Sequence, residues 1–227
     1  GGFDAKFKLL ILIAHAFGVV VKPEEIFNLG IDKLGDLELG YAKEKGYKIK
    51  LIAYAEKTAD SKIRSFVLPK FIKNTDKLFY VDDVFNGVKT KSYFSDVQFF
   101  SGKGAGAYPT ASAVLSDISA LSYDYRYEYK KLNSTDILEC DSEIYLKIFL
   151  RHEIVYTKIF KSYFHEVNES YFNHEIGFLV GTISLSNLKI IAKWSNADSS
   201  IILFDLIDQE KTHSLIQHEE LEFELIA

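Results

Sequence analysis

Asp4 and Lys8 stand four residues apart in the stretch Phe3 to Gly18, FDAKFKLLILIAHAFG. On a helix that spacing sets the two side chains one above the other on a single face. A carboxylate near a helix N-terminus is favoured by the macrodipole and the unpaired amides there, and it can hold a cationic group of a substrate. A lysine in the same turn is disfavoured, and partial burial presses it further toward the neutral amine that exchanges a proton near neutral pH. Behind the pair run Leu9, Leu10, Ile11, Leu12, Ile13 and Ala14. That run shows no polar face, which predicts a helix buried nearly all round and a dry setting for both charges. The competing reading is a surface i,i+4 ion pair of little energetic weight.

A second chemical pattern lies in Val97 to Leu121, where Gly102, Gly104 and Gly106 separate a short strand from a helix carrying Ala113, Val114, Ile118 and Leu121. Formally this is G-x-G-x-x-A between strand and helix, the dinucleotide fingerprint. That fold, however, needs a buried strand after the helix ending in an acid that holds the ribose. Here SYDYRYEYKK follows, alternating charged and aromatic. What remains is either a tight turn or a loop, capped by Thr110 or Ser112, whose bare backbone approaches an anion or a cofactor edge. His152, His165 and His174 are too far apart for a helical metal pair and no cysteine joins them, so they are expected to be exposed or capped, with no metal site.

The elements around these residues are those of an α+β layer. Pro23-Glu24-Glu25 starts a short helix that Gly30 ends, and Asp36 to Gly46 is a second, with Asp36 as N-cap and Gly46 as C-cap. Tyr47 to Ala55 and Lys62 to Leu68 are expected strands, the latter stopped by Pro69. Asn86-Gly87, between Phe79 to Phe85 and Val88 to Phe94, is the strongest hairpin signal in the chain. Strands cluster rather than alternate with helices, which argues against βαβ units.

With 227 residues, 48% of them hydrophobic, there is material for one large core or two smaller ones. The net charge of -5 comes with no basic cluster, so no nucleic-acid or acidic-membrane footprint is present. The longest apolar run, Leu9 to Val21, is too short to span a bilayer, and no secretory signal precedes it. A lone cysteine, Cys140, excludes an internal disulfide and fits the cytoplasm. A start at Gly1 and the absence of methionine lead us to expect a fragment of a longer protein.

Three stretches in order, Gly2 to Leu9, Gly46 to Ala53, and Gly102 to Gly106 with Pro109 to Val114 and Asp117-Ile118, resemble the substrate domain of homoserine dehydrogenase. The resemblance covers residues 1–121 and implies a mixed β-sheet covered by helices, which forms the homoserine pocket and a homodimer interface. It implies that Lys8 is the general acid/base, that Asp4 binds the substrate, and that Gly104 and Gly106 lie at the cofactor. NAD(P) would be bound mainly by an N-terminal domain outside this chain. The family's second lysine, substrate glutamate and monovalent-cation site cannot be placed here, so this polypeptide alone is expected to be inactive.

Residues 122–141 form a tyrosine-rich linker, after which the pattern restarts. Strands at Ile144 to Leu150, Ser170 to Asn173, Gly177 to Ser184 and Ser199 to Leu206, with helices at Tyr156 to His165 and Leu185 to Trp194, give the order βαββαβ over residues 142–227. That order resembles the ACT domain, an amino-acid-sensing module, and implies threonine as a possible effector. Arg151-His152-Glu153-Ile154 replaces the usual Asp-x-Pro-Gly turn. A packing module that binds no effector is therefore the alternative for this half, and the rival reading of the whole chain is a catalytically silent dimer scaffold with a sensing module. Trp194 is expected in the core, Asp208 to Glu224 as a solvated tail, and Glu222 to Ile226 as an edge strand.

Overall fold

A computed structural model describes residues 1–58, 62–126, 144–194, 199–207 and 221–226. Cys140, most of the 122–141 connection and the acidic stretch 208–220 lie outside the described residues. In chain order the elements are α1 (Phe3–Phe17), β1 (Phe27–Asn28), α2 (Asp36–Lys45), β2 (Tyr47–Lys57), β3 (Ile63–Lys73), β4 (Phe85–Ser92), β5 (Asp96–Lys103) and α3 (Ala107–Leu121). Then come β6 (Tyr145–Glu153), α4 (Thr157–Lys161), β7 (Glu166–Phe172), β8 (Ile176–Ser184), α5 (Leu185–Trp194), β9 (Ser200–Ile207) and β10 (Leu221–Ile226). Short 3-10 turns occupy Pro23–Glu25, Lys77–Tyr80 and Ile154–Tyr156. The class is α+β, as the clustering of strands required.

All strands join one mixed sheet in the order β5-β4-β10-β2-β3-β9-β6-β8-β7, with β1 alongside β3. Helices cover both faces. On one, α1 lays Ala5, Leu9 and Ile13 on Ala53, Ala55, Val67, Phe223 and Leu225. Beside it, α2 presses Ala42, Tyr41 and Leu37 onto Phe71, Phe149, Phe178 and Ile202. On the opposite face Phe160 of α4 and Leu185, Leu188 and Ile191 of α5 meet Tyr54, Phe66, Leu68, Leu146, Ile148 and Leu203. Strand β6 thus sends Phe149 one way and Ile148 and Leu150 the other, which is why it reads as an unbroken apolar run.

Several sequence expectations are corrected. Strand β3 runs through Pro69, opposite Leu51, to Lys73; its other neighbour, β9, is registered with it only at Lys70 and Leu203, so one missing N–H is tolerated there. Asn86-Gly87 lies inside β4, and the hairpin turns at residues 93–95 instead. The segment before it forms the Lys77–Tyr80 turn rather than a strand. After Pro23–Glu25 the chain enters β1 instead of continuing a helix. Glu222 to Ile226 belongs to a central strand, paired with β2 on one side and β4 on the other. Trp194 is 57% exposed at the end of α5, outside the core. Gly35 takes the N-cap position of α2, one residue before Asp36, while Gly46 closes the helix in the left-handed conformation as expected.

Candidate active site

Helix α1 begins at Gly2, whose φ of 78° places it in the left-handed region, and ends at Gly18, whose N–H returns to the Ala14 carbonyl. Between them the helix buries only the stripe Ala5, Lys6, Leu9 and Ile13. This corrects the expectation of burial all round: α1 is an outer layer, and one stripe is all that reaches the sheet. Asp4 and Lys8 lie off that stripe. Their side chains are 82% and 41% exposed and pair with each other, Lys8 Nζ to Asp4 Oδ2, at 2.9 Å. The dry setting expected of them is therefore absent within this chain. Beside the pair, Phe3, Phe7 and Ile11 form a row at i, i+4 and i+8, all three exposed.

The buried side of the same turn is tied down. Lys6 Nζ donates to Asn28 Oδ1 at 2.8 Å, and Asn28 Nδ2 donates to the Gly1 carbonyl at 2.9 Å. Lys6 and Asn28 thus hold the mouth of α1 against β1, a clasp the sequence did not reveal because the two residues are far apart in the chain.

The glycine loop is built at the sheet edge. Gly102 lies in β5, and the Gly104 N–H donates to the Val84 carbonyl at 2.8 Å. A Cβ on Gly104 would come within 1.9 Å of the Asn86 side-chain amide, so a side chain there would have to displace that amide. Gly106, at φ 119°, is the N-cap of α3, and Thr110 sits in the first turn, its hydroxyl donating to the Gly106 carbonyl at 2.9 Å. Neither Thr110 nor Ser112 is the cap. The nearest atom to a Cβ on Gly106 would be Pro109 Cδ at 3.5 Å, and α3 has no buried residue, so the backbone at its start lies open. An open helix N-terminus with a bare backbone fits the edge of an anionic cofactor. Strand β5 lies three strands from β2, a separation of ~14 Å. Among the described residues no hydrogen bond or ion pair joins Gly104 or Gly106 to Asp4 or Lys8.

The histidines divide. Of the two expectations, exposed or capped, His152 meets the second: it is fully buried, its Nδ1 lies 2.8 Å from the Glu153 carbonyl, and among the described residues its Nε2 has no hydrogen-bond partner. Burial holds its ring below the usual histidine range. His174 is exposed, and the His165 ring lies against Tyr145. Among the described residues no group of three His, Cys, Asp or Glu side chains is arranged to hold a metal, and no helix is long and apolar enough to cross a membrane.

Sequence comparison matches residues 1–119 to the family model for homoserine dehydrogenase. The homoserine dehydrogenase of Helicobacter pylori is 44% identical over 117 residues, 52% of this chain and 28% of that protein. The Bacillus subtilis homoserine dehydrogenase is 29% identical over an alignment of 227 positions, covering 92% of this chain and 50% of the relative. The chain therefore spans at most about half the length of these relatives. Among solved structures, a homoserine dehydrogenase from Thiobacillus denitrificans superposes with a TM-score of 0.70 at 25% identity, over 90% of this chain and 53% of that one. The Staphylococcus aureus homoserine dehydrogenase at pH 6.5, at 21% identity and a TM-score of 0.60, shares the fold. The Asp4/Lys8 helix, two of the strands it covers (β2 and β3) and the glycine turn fall within the matched segment, and this chain belongs to the homoserine dehydrogenase family.

Proposed function

We propose that the chain supplies the substrate-binding and proton-transfer part of an NAD(P)-dependent homoserine dehydrogenase, which interconverts L-homoserine and L-aspartate 4-semialdehyde on the way to threonine and methionine. The observation that carries this reading is the Asp4/Lys8 pair at the mouth of α1, beside an apolar row that stays exposed among the described residues. An exposed ion pair of this kind is worth about 0–1 kcal/mol, so the ammonium of homoserine can take the place of Lys8 on Asp4 at little cost. Displaced from Asp4, the Lys8 amine is free to turn to the substrate hydroxyl. Lys8 then accepts the hydroxyl proton of homoserine and returns it to the aldehyde oxygen in the reverse direction. The chemistry supplied by the bound cofactor is hydride acceptance and return. Gly104 and Gly106 would hold one edge of that cofactor, the rest being bound by a domain N-terminal to this chain. Docking of such a domain over Phe3, Phe7 and Ile11 would supply the dry surroundings that α1 lacks here.

In this reading residues 1–121 are the substrate-binding and dimerisation part. Exposed Val97 and Phe100 on the edge strand β5 support pairing with a second copy. Residues 142–227 form an ACT-like module, supported by the order β6-α4-β7-β8-α5-β9 with β6 between β8 and β9. Threonine is its proposed effector. The single cysteine supports a cytoplasmic location.

The test is homoserine oxidation by the protein carrying this chain behind its cofactor domain, followed at the nicotinamide absorbance with NAD and with NADP. Lys8→Ala is expected to lower turnover ~10²- to 10⁴-fold without loss of fold. A folded wild-type dimer inactive with both cofactors would instead favour a silent scaffold.

A further inference from the structure

The turn from β1 to α2, residues 29–35, touches the start of the chain on one side and β6 on the other. At its start the Leu29 N–H donates to the Val67 carbonyl at 2.8 Å, and the Leu29 carbonyl lies 3.2 Å from where a Cβ on Gly2 would stand. Gly30 packs so closely on Gly1 that a Cβ there would come within 2.6 Å of the Gly1 Cα. The residues just ahead of Asp4 therefore rest directly on this turn. Asn28, immediately before it, anchors Lys6 and the Gly1 carbonyl.

At its other end the turn is held by a residue from the C-terminal half. Arg151, on β6, donates from Nη2 to the Lys33 carbonyl at 2.7 Å, while its Nε lies 2.6 Å from Glu38 Oε1. Glu38 is fully buried; its second oxygen accepts the Gly35 N–H at 2.9 Å, and Ser200 of β9 donates its hydroxyl to the first. Neutralising Glu38 needs only a positive charge. Reaching Glu38 and the Lys33 carbonyl at once needs the planar fork of arginine.

We infer that Arg151 is a positioning residue for the Asp4/Lys8 pair: with Glu38 it sets the 29–35 turn, and the turn sets the first residues of α1. The inference rests on the active-site reading above. Holding an ammonium on Asp4 is a charge attraction that tolerates a small displacement, whereas proton transfer to Lys8 requires hydrogen-bond reach. A shifted turn therefore lowers kcat more than it raises KM.

The experiment compares Arg151→Lys, Asn28→Ala, their double variant and Lys8→Ala in the complete enzyme, with melting temperatures recorded beside kcat and KM for homoserine. Arg151→Lys keeps a charge for Glu38 but gives up the contact to Lys33. Each single variant is expected to lose about 10- to 100-fold in kcat with KM nearly unchanged. The double variant is expected to be no worse than the poorer single, because both set the same first residues of α1. Wild-type kcat in both single variants, with Lys8→Ala inactive, overturns the inference and leaves the active site standing. Losses that multiply in the double variant overturn it as well. If Arg151→Lys does not fold, Asn28→Ala decides alone: an unchanged kcat there overturns the inference. Retained turnover in Lys8→Ala would instead remove the active-site reading, and the inference with it.

Discussion

Glu224 projects from β10 into the sheet at 2% exposure, with the ammonium groups of Lys70 and Lys89 both on its carboxylate and Lys89 also 3.1 Å from Asp76. Burial alone would push its carboxyl upward, but the two lysines outweigh it and hold the group below its ordinary value. The unfolded chain then takes up the proton first as pH falls. The stabilisation from Glu224 is thus full above the ordinary carboxylate range and lost as pH drops through the folded value. Glu224→Gln leaves the buried Lys70 without its counter-charge, while Lys89 keeps Asp76, and is expected to cost ~3–5 kcal/mol at neutral pH in urea unfolding, with the deficit closing in acid. Glu222, two residues away, has the opposite sign. Burial first, then Glu224 and Glu56, push it upward, so its ionisation opposes folding above the ordinary range and is silent below it. Glu222→Gln should accordingly stabilise the chain at pH 7 and change nothing at low pH. Neither role shows in the sequence, where Asp208 to Glu224 reads as a solvated tail and Glu222 to Ile226 as an edge strand; which carboxylate is buried depends on strands more than a hundred residues upstream.

Among the elements, those that the chain forms from local pattern were legible and those that depend on distant neighbours were not. The bounds Leu185–Trp194 of α5 follow from its apolar spacing, and Gly46 ends α2 because a left-handed cap favours glycine. Asn86-Gly87 misleads because the same dipeptide serves packing. A Cβ on Gly87 would meet Val81 Cγ2 at 2.7 Å and Phe99 at 3.2 Å. Gly87→Ala is therefore expected to cost ~1–3 kcal/mol by overpacking, read as a lower urea midpoint with an unchanged slope. A turn glycine at that position would have been indifferent to the volume. Helix α3 shows the reverse case. Its apolar residues Val114, Leu115 and Ile118 are all exposed, so Ile118→Glu should leave the stability of this chain within ±0.5 kcal/mol. A large loss would mean that α3 packs on the rest of the chain. The Asp4/Lys8 pair was legible in identity and spacing but not in exposure, because what lies over α1 is not a property of α1.

At the scale of the whole molecule the decisive strand is the last. β10 is hydrogen-bonded in register from Leu221 to Ile226 with both β2 and β4, so the far end of the chain closes the sheet on which α1 rests. Phe223 and Leu225 fill the space under Leu9 and Ile13, and Phe223 stacks on Phe17 with ring centres 5.3 Å apart. Residues 1–121 thus hold the Asp4/Lys8 helix and the β2 and β3 part of the floor beneath it, but not the part that β10 supplies. Cutting after residue 121 removes these contacts together with Glu224, each large core side chain being worth ~2–5 kcal/mol against a total stability of ~5–15 kcal/mol. The truncated piece is expected to lose its near-UV circular dichroism and its cooperative urea transition, and removal of residues 221–227 alone should do the same. A cooperative transition in either would show that β2 and β4 close without β10. If both collapse, deletion cannot separate catalysis from regulation in this protein. The threonine effector proposed above then has to be tested by point substitutions within β6 to β9 that leave β10 in place.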